Sequence, residues 1–148
     1  MKTLVLYYSY TGHTKKLAEG LAAKESVDIA EIKAVKRPGV LKAFTAGCFA
    51  ALGGRSWPIQ PLDTNMAAYD RLILLIPVWA GNPPPAINAL LEQLPEGKSI
   101  DIKMVSASGE SKCRERLEAA IKSKGSTLKS FENVKAQKDG GSLTESRG

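Results

Sequence analysis

Leu4-Val5-Leu6-Tyr7-Tyr8-Ser9-Tyr10-Thr11-Gly12-His13-Thr14 is the stretch that decides the fold. Leu4 to Tyr8 is an apolar run of strand length, and Thr14 to Lys24 carries the periodicity of an amphipathic helix. A strand that turns through hydroxyl and glycine residues into a helix forms an anion pocket. Backbone N–H groups and the positive end of the helix dipole converge there, with hydroxyls around them. The loop therefore points to a bound phosphate. The same residue types also serve as ordinary helix caps.

Working outward, strand and helix patterns alternate. Val27 to Ala34 alternates apolar and polar residues as a second strand does. Arg71 to Trp79 is an almost unbroken apolar run, which suits a central parallel strand covered on both faces, with Pro77 near its C-terminal end. Ile87, Leu90, Leu91 and Leu94 mark one face of a helix, Ile100 to Ala107 a fourth strand, and Cys113, Leu117, Ala120 and Ile121 the stripe of another helix. Thr127 to Ala136 is a weaker fifth strand. This order predicts one α/β domain over residues 1–148, a doubly wound parallel sheet with helices on both faces. Residues 35–70 are an insertion, with an apolar helix over Leu41 to Leu52 and a long loop that can act as a flap. Residues 137–148 read as a flexible tail from which no closing helix can be built.

The 148 residues suffice for one sizeable core, and 43% apolar with 24% charged residues is ordinary globular composition. No apolar run reaches bilayer-spanning length, and Met1-Lys2-Thr3 passes straight into a strand without a signal-peptide pattern, so the expected location is cytoplasmic. Cys48 and Cys113 lack metal-type spacing and read as buried thiols on helices. The net charge of +6 comes from scattered basic residues without an aromatic-rich strand, a solvated basic surface or one that favours acidic partners rather than nucleic acid. A triphosphate P-loop and a Gly-x-Gly-x-x-Gly turn are both absent, and Tyr8 and Ser9 stand where a receiver domain carries its acids.

In a doubly wound sheet, ligands bind outside the C-terminal ends of the strands. Three loops fall there: Ser9 to Thr14, Trp79-Ala80-Gly81-Asn82-Pro83-Pro84-Pro85, and Ser106-Ala107-Ser108-Gly109-Glu110-Ser111. The second is a flat aromatic plate on a stiffened loop, and the third offers small residues and N–H groups to a planar ligand's polar edge. Together they resemble the flavodoxin family. Ser9-Tyr10-Thr11-Gly12-His13-Thr14 is similar to that family's Ser/Thr-x-Thr-Gly-x-Thr phosphate loop, and Trp79 stands where flavodoxins set an aromatic ring on the flavin. The resemblance covers roughly Lys2 to Ala136 and implies a flavodoxin-like sheet of five parallel strands, order 2-1-3-4-5, here with the last helix missing.

It also implies FMN as cofactor. Ser9, Thr11 and Thr14 hydroxyls, with N–H groups from Tyr10, Thr11, Gly12, His13 and Thr14, would bind its phosphate. Trp79 would stack on the ring, a contact worth roughly 1–3 kcal/mol. The Ala80–Gly81 peptide would face flavin N5 and tune its potential, with Pro77, Val78 and Asn82 completing that loop. Ser106, Ser108, Gly109 and Glu110 would border the other edge. The basic charge departs from the acidic family habit, and the third loop lacks a second stacking aromatic. Without a last helix, one sheet face would be covered by the first helix alone. Such a wide apolar face is expected to pair as a homodimer, or to be covered where the chain continues past Gly148. The expected function is electron transfer between redox partner proteins, with no separate acid–base residues. Alternatives are an FMN-dependent NAD(P)H:quinone-type reductase, with Val35 to Pro61 as lid, and a non-flavin binding module on the same fold.

Overall fold

A computed structural model describes residues 2–8, 13–33, 59–62, 64–78, 81–135 and 144–146. Its elements are β1 (Thr3–Tyr7), α1 (His13–Lys24), β2 (Asp28–Glu31), β3 (Arg71–Pro77), α2 (Pro85–Glu92), β4 (Ser99–Ser106), α3 (Arg114–Ser123), β5 (Thr127–Lys135) and β6 (Thr144–Ser146). The sheet order is β2-β1-β3-β4-β5-β6. The first five strands are parallel in the expected 2-1-3-4-5 order, with Tyr7 beside Leu75 and Pro77 beside Val105. The sixth was not foreseen: Thr144–Ser146, expected within a tail, pairs antiparallel with β5, Lys135 opposite Thr144.

The period-two pattern of the strands sorts side chains onto two faces. Leu4, Leu6, Leu72, Leu74, Ile100 and Ile102 pack with α2 and α3, through Ile87, Leu90, Leu117 and Ile121. Val5, Tyr7, Ile73 and Leu75 pack on the other face against Leu17, Ala18 and Leu21 of α1. Leu72 to Ile76 are all buried, as a strand covered on both sides requires, and Pro77 closes β3, where its missing N–H breaks no inner ladder bond. Pro85 opens α2 at a position whose N–H would have no helical partner.

Among the described residues α1 is the one helix on its face, yet the wide apolar surface expected beside it is not found. There Asp101 and Lys103 of β4 meet β5 in polar pairs, and the buried Val105 beside Val134 follows them. Arg71 Nε donates to Asp101 Oδ2 at 2.5 Å, Ser130 Oγ donates to Asp101 Oδ1 at 2.6 Å, and Lys103 Nζ donates to Glu132 Oε2 at 2.6 Å. Over these positions of β4 and β5 the face carries paired charges. Within the insertion, Gln60 N–H donates to Lys33 O at 2.7 Å, returning the chain to the end of β2, and Met66–Ala68 forms one 3-10 turn capped by Asn65. The helix expected over Leu41 to Leu52 lies outside the described residues.

Candidate functional site

The ends of β1, β3 and β4 lie side by side, so the three loops that follow them share one edge of the sheet. Because β2 lies to one side of β1 and β3 to the other, this edge holds the point where strand order reverses. Ser9, Tyr10, Thr11, Gly12, Trp79 and Ala80 lie outside the described residues, as does the side chain of His13, whose backbone opens α1.

Thr14, in the first turn of α1, is 2% exposed and donates its hydroxyl to the Tyr8 carbonyl at 2.5 Å. The bond ties the residue after β1 to the start of α1. The hydroxyl proton expected to reach a phosphate therefore serves the base of the loop, and the Thr14 backbone N–H is among the amides of the first helical turn, which have no partner within the helix. The first turn carries no acid, and Lys15 and Lys16 follow directly, both exposed. A positive charge at the positive end of the dipole costs about 0.3–1 kcal/mol, and an anion held there reverses the sign. Tyr7, at the end of β1, has its phenol pushed above its usual pKa by burial first, then by Glu31 and Glu19.

After β3, Val78 N–H donates to Val105 O at 3.2 Å, keeping this loop beside β4. Gly81 has φ +81°, a left-handed conformation that favours glycine. Its carbonyl accepts from Lys112 N–H at 2.7 Å. A side chain at Gly81 would meet the Lys112 stem at 3.5 Å, ordinary contact, so the backbone angle and not crowding selects glycine. Asn82 is half-buried and leads into the buried Pro83 and Pro84, the latter at the N-cap of α2.

After β4, Gly109 has φ +74° and donates its N–H to Ser106 Oγ at 2.9 Å, while Glu110 N–H donates to Ser108 Oγ at 3.2 Å. Both serines act here as acceptors, which leaves their hydroxyl hydrogens as the donors they can present to a ligand. Ser111 Oγ donates to Asn133 Oδ1 at 2.6 Å, anchoring the end of this loop to β5. Cys113 lies just ahead of α3 rather than on it. Burial pushes its thiol up, against smaller opposing effects from Ser111, Arg116 and Lys112, so it stays a protonated packing residue.

The structure thus brings together Thr14, Pro77, Val78, Gly81, Asn82, Ser106, Ser108, Gly109 and Glu110 at one edge. A cleft beside β2, lined by Ile29, Glu31, Lys33, Gln60 and Thr64, contains none of them. Sequence reasoning missed Lys112, whose N–H joins the second and third loops. No periodicity or motif marks it, because its role depends on a backbone contact between residues 31 apart. It also missed the tie from Thr14 to Tyr8, although a threonine at a helix start is the visible half of that bond.

No protein-family model matches the chain. An uncharacterised protein of Archaeoglobus fulgidus is 28% identical over 97 residues, 64% of this chain and 58% of that protein's length. Among solved structures, a flavoprotein from Lactobacillus acidophilus in complex with FMN is 26% identical. The match covers 88% of this chain and 91% of that one, with a TM-score of 0.69. A protein from Bacteroides eggerthii assigned as a flavoprotein is 22% identical over 88% of this chain and 86% of its own, TM-score 0.74. A flavodoxin from Streptococcus pneumonia is 15% identical over 95% and 90%, TM-score 0.52. The chain has the flavodoxin-like fold.

Proposed function

We propose that this flavodoxin-like chain binds FMN and carries electrons between redox partners. The observation that carries the reading is the start of α1. An acid-free helix N-terminus bearing two lysines stands at the switch point of the sheet, directly behind a serine, threonine and glycine loop. The likeness to a flavoprotein solved with FMN supports it.

The donor chemistry fits the group. Backbone N–H groups at the start of α1, with the hydroxyls of Ser9 and Thr11, would hold the phosphate. Trp79 would stack on the ring. Ser106, Ser108, Gly109 and Glu110 would border its polar edge. The flavin supplies the one-electron redox chemistry when bound, and the chain supplies binding, orientation and electrostatics. Lys112 N–H, bonded to Gly81 O, fixes the far side of the loop whose Ala80–Gly81 peptide would face the ring. Thr14, bonded to Tyr8 O, fixes the phosphate loop's base. Neither contact has to form on binding, which lowers the ordering cost of binding.

Titration of the apo-protein with FMN, followed by flavin fluorescence, tests the reading, with Trp79→Ala in parallel. Strong quenching at submicromolar affinity, weakened by the substitution, is expected. A wild type that leaves flavin fluorescence unchanged overturns it.

A further inference from the structure

Exposed charge is unevenly placed on the described residues. At the loop edge of the sheet, Lys15 and Lys16 open α1, Lys112, Arg114 and Arg116 flank the start of α3, and Lys135 ends β5, all exposed. Among the described strand-end loops and first helical turns, Glu110 and Glu115 oppose them, since Lys33 beyond β2 is paired with Glu31 at 3.7 Å. At the opposite edge, Glu25, Asp28, Asp70, Glu92 and Glu96 lie among the lysines, and the signs are nearly balanced. Two of the rim cations are held in place. Arg116 Nη1 donates to Asn88 Oδ1 at 3.1 Å, and the Arg114 guanidinium lies 5.8 Å from the centre of the Phe131 ring.

We infer that this rim is the docking surface for an acidic redox protein, an inference that rests on the electron-carrier reading above. The spread of the cations selects a protein over a dinucleotide. The α1 and α3 clusters lie on opposite faces of the sheet, and β1 and β5 stand three strand spacings apart, about 14 Å. A dinucleotide is a narrow chain with a pyrophosphate and at most one further phosphate, too few anions to answer six cations set on both faces of the sheet. A protein patch of about 800 Å² covers both. A rim of one sign around the electron-exchange edge also steers an oppositely charged partner onto that edge and repels basic ones.

The test titrates the isotope-labelled protein, with and without FMN, against an acidic plant-type iron–sulfur ferredoxin as probe and basic cytochrome c as sign control. It is run at about 20 mM and about 200 mM salt, between which the screening length falls from about 20 Å to about 7 Å. Ferredoxin is expected to bind, to shift the amides of Lys112, Arg114 and Lys135, and to lose about tenfold or more in affinity at the higher salt. Arg114→Glu with Lys135→Glu should weaken it at low salt by about tenfold, and Lys24→Glu with Lys129→Glu, the same change in net charge, by less than about threefold. Equal binding of cytochrome c, equal losses in the two double variants, or no ferredoxin binding overturns the inference. So does rim-dependent binding of NADPH without ferredoxin, which would make the rim a dinucleotide site. FMN affinity is measured on every variant. FMN binding without ferredoxin recognition removes the docking surface alone, and ferredoxin recognition without FMN binding removes the carrier reading and with it the redox role of the rim, leaving a surface for acidic proteins.

Discussion

Gly81 and Thr14 show what one residue controls at this edge. Gly81 holds φ +81° with ordinary room for a methyl group, so Gly81→Ala tests conformation rather than packing. Its expected cost is about 1–3 kcal/mol in urea unfolding, with weakened FMN binding because the Lys112 bond depends on that turn. Unchanged stability would show the loop relaxing to an ordinary angle. Thr14→Val keeps the shape and removes the hydroxyl, leaving the Tyr8 carbonyl without that donor. A loss of about 1–3 kcal/mol is expected, and Thr14→Ser should restore most of it. The turn at Gly81 was legible through the family resemblance, whose Ala80–Gly81 peptide needs that freedom. The acceptor of Thr14 was not, because a backbone carbonyl carries no residue identity.

Elements were legible where their side chains alone decide them. The run Leu72 to Ile76 suited a strand buried on both faces, and Leu117, Ala120 and Ile121 of the expected stripe fall on one helix, with Cys113 just ahead of it. β4 carries a second signal beside its apolar residues. Asp101 and Lys103 alternate with Ile100, Ile102 and Met104, and that alternation already says that one of its faces is polar. A pH prediction belongs to the pairing of β2 with the segment before β3. Tyr69 donates its phenol to Asp28 Oδ2 at 2.7 Å, and this bond, ahead of burial and the carboxylate charge, raises its pKa above 10.0. Tyr7 shifts the same way, mainly through burial. The folded state thus holds these protons more tightly than the unfolded chain. Their stabilisation is full below pH 10 and is lost as pH rises through the raised values. Urea midpoints should fall between about pH 9 and about pH 11, and Tyr69→Phe should flatten that fall while lowering stability at neutral pH. A variant with the wild-type alkaline slope would show that Tyr69 does not carry the effect.

On the scale of the whole molecule, strand–helix alternation was enough to give the parallel sheet. Strands β1 to β5 run parallel, so the loops that follow them collect at one edge. The short β6 escaped because its pairing comes from the free backbone edge of β5, which any residue types can satisfy. That shared edge makes ligand binding and global stability one measurement. FMN at about a hundred times its Kd adds about 2.7 kcal/mol to the unfolding free energy, which for a domain of this size raises Tm by about 5–11 °C. Riboflavin has the same ring without the phosphate. If the start of α1 contributes a hundredfold in affinity, riboflavin at the same concentration stands near its own Kd. It then adds about 0.4 kcal/mol, or about 1 °C. Differential scanning calorimetry of the apo-protein with each ligand separates the cases. A large shift with FMN and almost none with riboflavin places the affinity at the helix start. Equal shifts would move it to the aromatic loop and leave the lysines of α1 to the partner surface alone.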